Sequence, residues 1–287
     1  MDSKTKHQAG NRQNRKLPTT SRKILLVAVL VLGISTAVLN RPVERGLNAF
    51  RSLFGGLSPS WHDACQTKRF TTYLLSTNPL LIYIEDFVTV DEADHLISLA
   101  KIRKFEPSTV GLDPSKRASV DYRKSWSAEL PDSPSENFSD PVIECVVDRA
   151  SAFQGYVSPL AMETLQLVKY GQGEYYDLHY DAFGGLNQTY GNRESSFFVI
   201  LRAKNVVGGA TYFPKIPKPK SPELCRFLDC TGTHKGLVIK PRVGSAVFWR
   251  NLRSNFSIHP ATLHSGMKVE SGEKIGANLW TWSKEFA

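Results

Sequence analysis

From Leu165 to the C-terminus the chain is written in short β-prone runs, LQLVKY, FFVIL, ATYF, GLVIK, SAVFW, ATLHS and IGANLWTW, broken by glycine, proline and asparagine. Runs this short and this close bury their apolar sides only by packing sheet on sheet or by closing a barrel. Upstream the period changes. LLIYIEDF reads as a strand, and Thr89 with Glu92 forms a capping box for a helix whose Ala93, Leu96, Ile97 and Ala100 share one face. Asp140 and Pro141 open a second helix, with Ile143, Val146, Val147 and Ala150 on the 3.6-residue period. The expectation is an α+β, mainly β fold with packed sheets behind a helical layer. Residues 183–196 and 214–235 form longer connections, of the length used for lids and binding loops. There is no internal repeat.

The net charge of +9 suggests a polyanion partner until it is divided along the chain. Residues 1–23 carry seven basic side chains against Asp2, a net of +6, which leaves +3 for the remaining 264 residues. The basicity belongs to the tail, and nucleic acid is not an expected partner. Next comes ILLVAVLVLGISTAVL, residues 24–39, uncharged and about 24 Å long as a helix. The long basic leader and the absence of an A-x-A site favour an uncleaved signal anchor over a cleaved signal peptide, with the basic flank cytosolic. The expected organisation is a basic cytosolic tail (1–23), a transmembrane signal anchor (24–40), a stem (41–78) and a folded lumenal domain (79–287). That is a single-pass type II protein of the endoplasmic reticulum or Golgi membrane. Sequons at Asn137, Asn187 and Asn255 suit a glycoprotein of that compartment. Cys65, Cys145, Cys225 and Cys230 can pair in three ways, Cys225 with Cys230 closing the shortest loop.

Chemistry enters at LQLVKYGQGEYYDLHYD, residues 165–181. An alternating strand points His179 and Asp181 to one face, where an imidazole and a carboxylate converge. A lone H-x-D is weak evidence, and an open metal site needs a third ligand from elsewhere. His264, ending the run ATLH, is better placed than His259, which precedes a proline in a turn. Two histidines and one carboxylate form the facial set used by non-haem Fe(II), and zinc with the same ligands and a water is the competitor. Lys274, between Gly272 and Gly276, enters a strand too apolar for a charge without a partner. A dicarboxylate chelating the metal through its keto acid offers that partner, with the hydroxyls of Tyr170 or Thr211 sharing the load. His7, His62, His95, His234 and His259 are read as ordinary surface or satisfied histidines.

Tyr170 and Tyr176 before His179, then GGATYFP, KPRVGSAVFW and LHSGMKVESGEKIGANLW, together resemble the prolyl 4-hydroxylase branch of the Fe(II)/2-oxoglutarate dioxygenases. LIYIEDFVTVDEADHLI and DYRKSWSAEL look like that family's opening, so the likeness spans residues 79–282. The resemblance implies a double-stranded β-helix (jelly-roll) core with flanking helices. It implies Fe(II) on His179, Asp181 and His264, and Lys274 paired with the 2-oxoglutarate carboxylate. Tyr170, Thr211 and Trp280 then line the cosubstrate pocket, while Tyr176 and Arg193 face a proline-containing peptide. It further implies O2 as second cosubstrate and ascorbate as reductant, and leaves open whether a partner subunit is required. Lysine at 274 fits the prolyl rather than the lysyl hydroxylases. Ala210, where an acidic residue is common, and Lys268, where proline is usual, depart from the pattern. The rival expectations are the same chemistry on another residue or a small molecule, and a degenerate lumenal binding protein.

Overall fold

The computed structural model describes residue 65 and residues 69–111, 121–130, 140–184 and 191–285. Contacts divide the chain between Ser58 and Pro59, and only the second unit contains described residues. The basic tail, the anchor at 24–40, the stem apart from residue 65 and residues 69–78, and the sequons at Asn137 and Asn187 lie outside them. Among the described residues no helix is long and apolar enough to cross a membrane.

In chain order the first elements are β1 (Thr71–Thr77), β2 (Leu80–Glu85), α1 (Val90–Arg103), β3 (Glu106–Pro107), β4 (Arg123–Lys124), β5 (Trp126–Glu129) and α2 (Pro141–Phe153). Then come β6 (Gln166–Tyr170), β7 (Tyr175–His179), β8 (Arg193–Gly208), β9 (Thr211–Pro217), β10 (Gly236–Ile239), β11 (Ala246–Arg250), β12 (His264–Gly266) and β13 (Val269–Trp282). They form an eight-stranded sheet, β1-β2-β11-β8-β13-β6-β5-β3, and a five-stranded sheet, β10-β9-β12-β7-β4. The fold is mostly β with few helices, consistent with a jelly-roll core.

Alternation along the central strands separates two cores. Phe197, Val199 and Leu201 of β8, with Ile275, Ala277 and Leu279 of β13, pack under the helices against Leu96, Ile97, Val142, Ile143 and Val146. Their neighbours Phe198 and Ile200 turn the other way, joining Tyr83, Tyr170, Phe213 and Trp249 in a second cluster. The same parity sends Trp280 and Asn278 to the side that lines the cavity described below. Gly276 is required there, because a Cβ would come within 2.5 Å of the Phe198 ring.

Both expected helix starts are present. Thr89 Oγ1 accepts the Glu92 N–H while Glu92 Oε2 accepts the Thr89 N–H, and Asp140 Oδ1 accepts from Val142 and Ile143. Cys225 pairs with Cys230, and Cys65 with Cys145 of α2.

Three expectations need correction. The folded domain starts before Pro79, since Thr71–Thr77 forms β1 against β2; its partly buried alternation, with Leu75 inside, was hidden by the polar run around it. ATLHS is not one strand: Pro260–Thr262 is a 3-10 turn, as proline at its head favours, and β12 begins at His264. β7 stops at His179, so Asp181 lies beyond the strand rather than two places along it.

Glu92 and Arg149 form a buried pair between the helices, Nη2 to Oε1 at 2.7 Å, with Arg149 Nη1 also on the Phe87 carbonyl. Glu92→Ala strands a guanidinium in the core and is expected to cost about 3–5 kcal/mol. Arg202→Ala, which removes the exposed pair with Asp94, should cost less than about 1 kcal/mol. Urea unfolding midpoints of the two variants check the contrast.

Candidate metal and cosubstrate site

The antiparallel pairing of β12 with β7 sets His264 directly opposite His179. The ligand atoms of His179, Asp181 and His264 all lie within 4.8 Å of one another, with the two later residues buried. Each imidazole is oriented through its Nδ1, which faces a backbone carbonyl two residues back: Asp177 at 2.7 Å for His179 and Thr262 at 2.9 Å for His264. A carbonyl only accepts, so Nδ1 carries the proton and the lone pair is on Nε2. The two Nε2 atoms stand 3.7 and 3.8 Å from Asp181 Oδ1, too far for hydrogen bonds. Two bare nitrogens and one carboxylate oxygen, buried and facing a common point, fit a divalent transition metal.

The electrostatics agree with that donor set. Burial, then the neighbouring His264, pushes the His179 pKa down to about 3, so its imidazole is neutral. Burial opposes ionisation of Asp181, but His264, His179, Arg193 and the Ser196 hydroxyl outweigh it and its pKa is lowered. Aromatic rings fix the surroundings. Tyr176 stacks on His179 at 3.6 Å, Trp249 meets His264 edge-on at 4.8 Å, and the Arg123 guanidinium covers Tyr176 at 4.6 Å.

A cavity of about 710 Å³ opens from these donors. Tyr170, Tyr176, Thr211, Arg193 and Trp280 all line it, as the sequence leads one to expect. Lys274 is fully buried, opposite Tyr170 in the β13–β6 ladder. Its Nζ donates to the Gly209 carbonyl at 2.6 Å and sits 4.6 Å over the Tyr170 ring and 5.5 Å from that of Phe198, both rings being part of the cavity wall. Among the described residues no carboxylate pairs with it, and burial alone lowers its pKa to about 7. With one donor of three used, the ammonium is poised for an anion.

Several site residues escaped sequence reasoning. Glu163 clamps Arg193, taking Nη2 at 2.7 Å and also the Trp282 indole at 2.6 Å, so that the guanidinium lies flat on Trp280 at 3.7 Å. Ser196 donates to Asp181 Oδ2 at 2.6 Å, and Trp249 walls the cavity beside His264. The only sequence signal for Ser196 was a pair of serines heading an apolar strand. His259, passed over as a ligand, caps the turn at Pro260–Thr262 through Nδ1 and bonds Asn78 through Nε2.

Residues 165–282 match the family model of the 2OG-Fe(II) oxygenase superfamily. Probable prolyl 4-hydroxylase 6 of Arabidopsis thaliana is 31% identical over 218 residues, which cover 74% of this chain and 72% of that protein. Prolyl 4-hydroxylase 2 of the same plant is 28% identical over 211 residues, covering 72% and 68%. The fold is similar to that of the viral collagen prolyl hydroxylase of Paramecium Bursaria Chlorella virus-1, solved as a 2OG complex, with a TM-score of 0.52, 24% identity, and coverage of 70% of this chain and 95% of that one. With more than two thirds of such a relative matched at this identity, the chain belongs to the prolyl 4-hydroxylase family of 2OG-Fe(II) oxygenases and is a prolyl-hydroxylase-type dioxygenase.

Proposed function

We propose that the protein hydroxylates proline residues of a peptide or protein, with Fe(II) held by His179, Asp181 and His264 and 2-oxoglutarate anchored by Lys274. The observation that carries this reading is the convergence of those three donors beside a buried lysine that has no carboxylate partner among the described residues. In this family, bound Fe(II) supplies the chemistry by which O2 converts 2-oxoglutarate to succinate and CO2 while one oxygen atom enters a substrate C–H bond, with ascorbate as reductant.

The chain's own residues do the positioning. The ammonium of Lys274 takes the far carboxylate of the cosubstrate, while Tyr170 and Thr211 close the pocket around it. Trp249 and Trp280 supply apolar walls that exclude water from the reacting centre. Tyr176 and Arg193 face the part of the cavity left for a peptide, with the guanidinium held in place by Glu163.

The reading extends to place. A basic leader followed by an uncharged run supports a type II anchor with this domain in the lumen of the endoplasmic reticulum or Golgi. Two disulfides and no free cysteine among the described residues support an oxidising compartment, and Asn255 is an exposed sequon. Protection of the domain from protease in intact microsomes, lost on adding detergent, is the expected result; digestion without detergent refutes this placement.

Incubation with Fe(II), 2-oxoglutarate, ascorbate and proline-rich peptides should release succinate and give a peptide one oxygen heavier, with the added oxygen mapped to proline by mass spectrometry. Product on another residue overturns the substrate assignment, and no succinate from metal-loaded enzyme overturns the enzyme reading. Saturating divalent metal should raise the thermal midpoint of the wild type, by about 2.7 kcal/mol of stability at a hundredfold excess over Kd, and leave His264→Ala unmoved.

Lys274→Ala should raise the Kd for 2-oxoglutarate by at least about 30-fold, the cost of removing one partner of a buried charge pair. Only protonated Lys274 binds the dianion, and its pKa is about 7 in the absence of an anion. Affinity is therefore flat below neutrality and weakens about tenfold per pH unit above it. Lys274→Arg, permanently charged, should lose that slope. Titration calorimetry across pH reads both effects.

A further inference from the structure

The Asp181 carboxylate is held asymmetrically. Oδ1 faces both Nε2 atoms, at 3.7 and 3.8 Å, whereas Oδ2 accepts the Ser196 hydroxyl at 2.6 Å. Ser196 Oγ in turn receives Nδ2 of Asn251 at 2.9 Å. Ser196 and Asn251 are both fully buried, side by side at the junction of β8 and β11, where Trp249 pairs with Ser196. Asn251 cannot drift, because its N–H donates to the Glu194 carbonyl at 2.7 Å and its own carbonyl takes the His259 N–H at 2.8 Å.

The proton order in this chain is determined by chemistry. An amide NH2 only donates and an ionised carboxylate only accepts, so the single hydroxyl proton of Ser196 must point at Asp181. If Asn251 were flipped, its Oδ1 would compete for that proton and Oδ2 would lose its anchor. The same asparagine reaches a second metal donor through its backbone: His259, held on the Asn251 carbonyl, caps the turn whose Thr262 carbonyl orients His264. One buried polar network thus sets the direction of two of the three donors.

We infer that Ser196 and Asn251 are positioning residues of the iron site, holding Asp181 so that one oxygen is presented to the metal and the other is kept away. The inference rests on the iron-site reading above. Without the hydroxyl, the carboxylate is free to rotate, either withdrawing its donor or turning both oxygens to the metal and crowding the cosubstrate. Partners that orient metal ligands from behind typically account for about 10- to 100-fold in metal affinity.

The test uses the full chain under anaerobic conditions, with two readouts besides turnover: Fe(II) affinity by equilibrium dialysis, and the visible charge-transfer absorption of the Fe(II) complex with 2-oxoglutarate. Ser196→Ala should weaken Fe(II) binding about 10- to 100-fold and alter the absorption at saturating iron. Asn251→Ala should act in the same direction but less, and Ser196→Cys, a weak donor of similar size, should fall between alanine and wild type. Ser245→Ala, a buried serine bonded to the Arg242 carbonyl, is the control and should change neither readout.

Wild-type affinity and absorption in Ser196→Ala overturn the inference while leaving the iron site standing. Failure of the wild type itself to bind Fe(II) overturns the site. Should Ser196→Ala fail to fold by circular dichroism, Ser196→Cys and Asn251→Ala decide by the same readouts, and two unchanged variants overturn it.

Discussion

The pairing of His264 with His179 across β12 and β7 is the constraint on which the rest of the site depends. β12 has only three residues, and its place is fixed from both sides, because Ser265 and Gly266 also pair with Tyr212 and Thr211 of β9. A slip of one residue would turn His264 to the opposite face and remove one nitrogen from the cluster. The same ladder carries Thr211 into the cavity wall and lays Gly266 beneath the Tyr170 hydroxyl, 3.6 Å from where a Cβ would stand. Metal donors and cavity wall therefore follow from a single register.

The second organising feature is an unequal treatment of buried charged groups. Away from the cavity the buried charged groups have partners: Arg149 is bonded through its Nη atoms to Glu92 and to the Phe87 carbonyl, although its Nε and the Tyr83 hydroxyl have none among the described residues, and Asp140 caps α2 while facing His95. Around the cavity they do not. Both histidine Nε2 atoms and Asp181 Oδ1 lack hydrogen bonds with one another, and among the described residues Lys274 has one neutral acceptor and the buried indole nitrogens of Trp249 and Trp280 have none. Unmatched charged groups cost stability wherever they are buried, so their concentration at the cavity marks where bound partners contribute what the protein lacks. In the proposed reading, Fe(II) and 2-oxoglutarate would supply the charges that the donors and the lysine call for.

How much of this was legible follows from the range of each signal. The capping box at Thr89 and Glu92, the Asp140–Pro141 helix start, and most of the late strands are read from contacts within a few residues, and the structure keeps them. His264 could be preferred to His259 because proline after His259 announces a turn, and His259 indeed caps that turn. Lys274 stood out because its strand is otherwise apolar, and it is fully buried. Asp181 reached the site by a different route from the one its spacing suggests, bending in after β7 ends and being caught by Ser196. β1 was missed because its polar alternation resembles a linker, and only pairing with β2 makes it a strand.

By itself the sequence determined the mainly β class, the helix starts, the chemical types of the three donors and the presence of a lysine in an apolar strand, because periodicity, capping and residue chemistry act locally. Only the tertiary structure decided that Cys65 pairs with Cys145, that Glu163 holds Arg193, and that Asn251 and Ser196 stand behind Asp181. Those contacts join residues 80, 30, 55 and 15 positions apart. The reason is physical: which side chains meet at such separations is set by strand register and sheet packing, and no single segment of the chain carries that information.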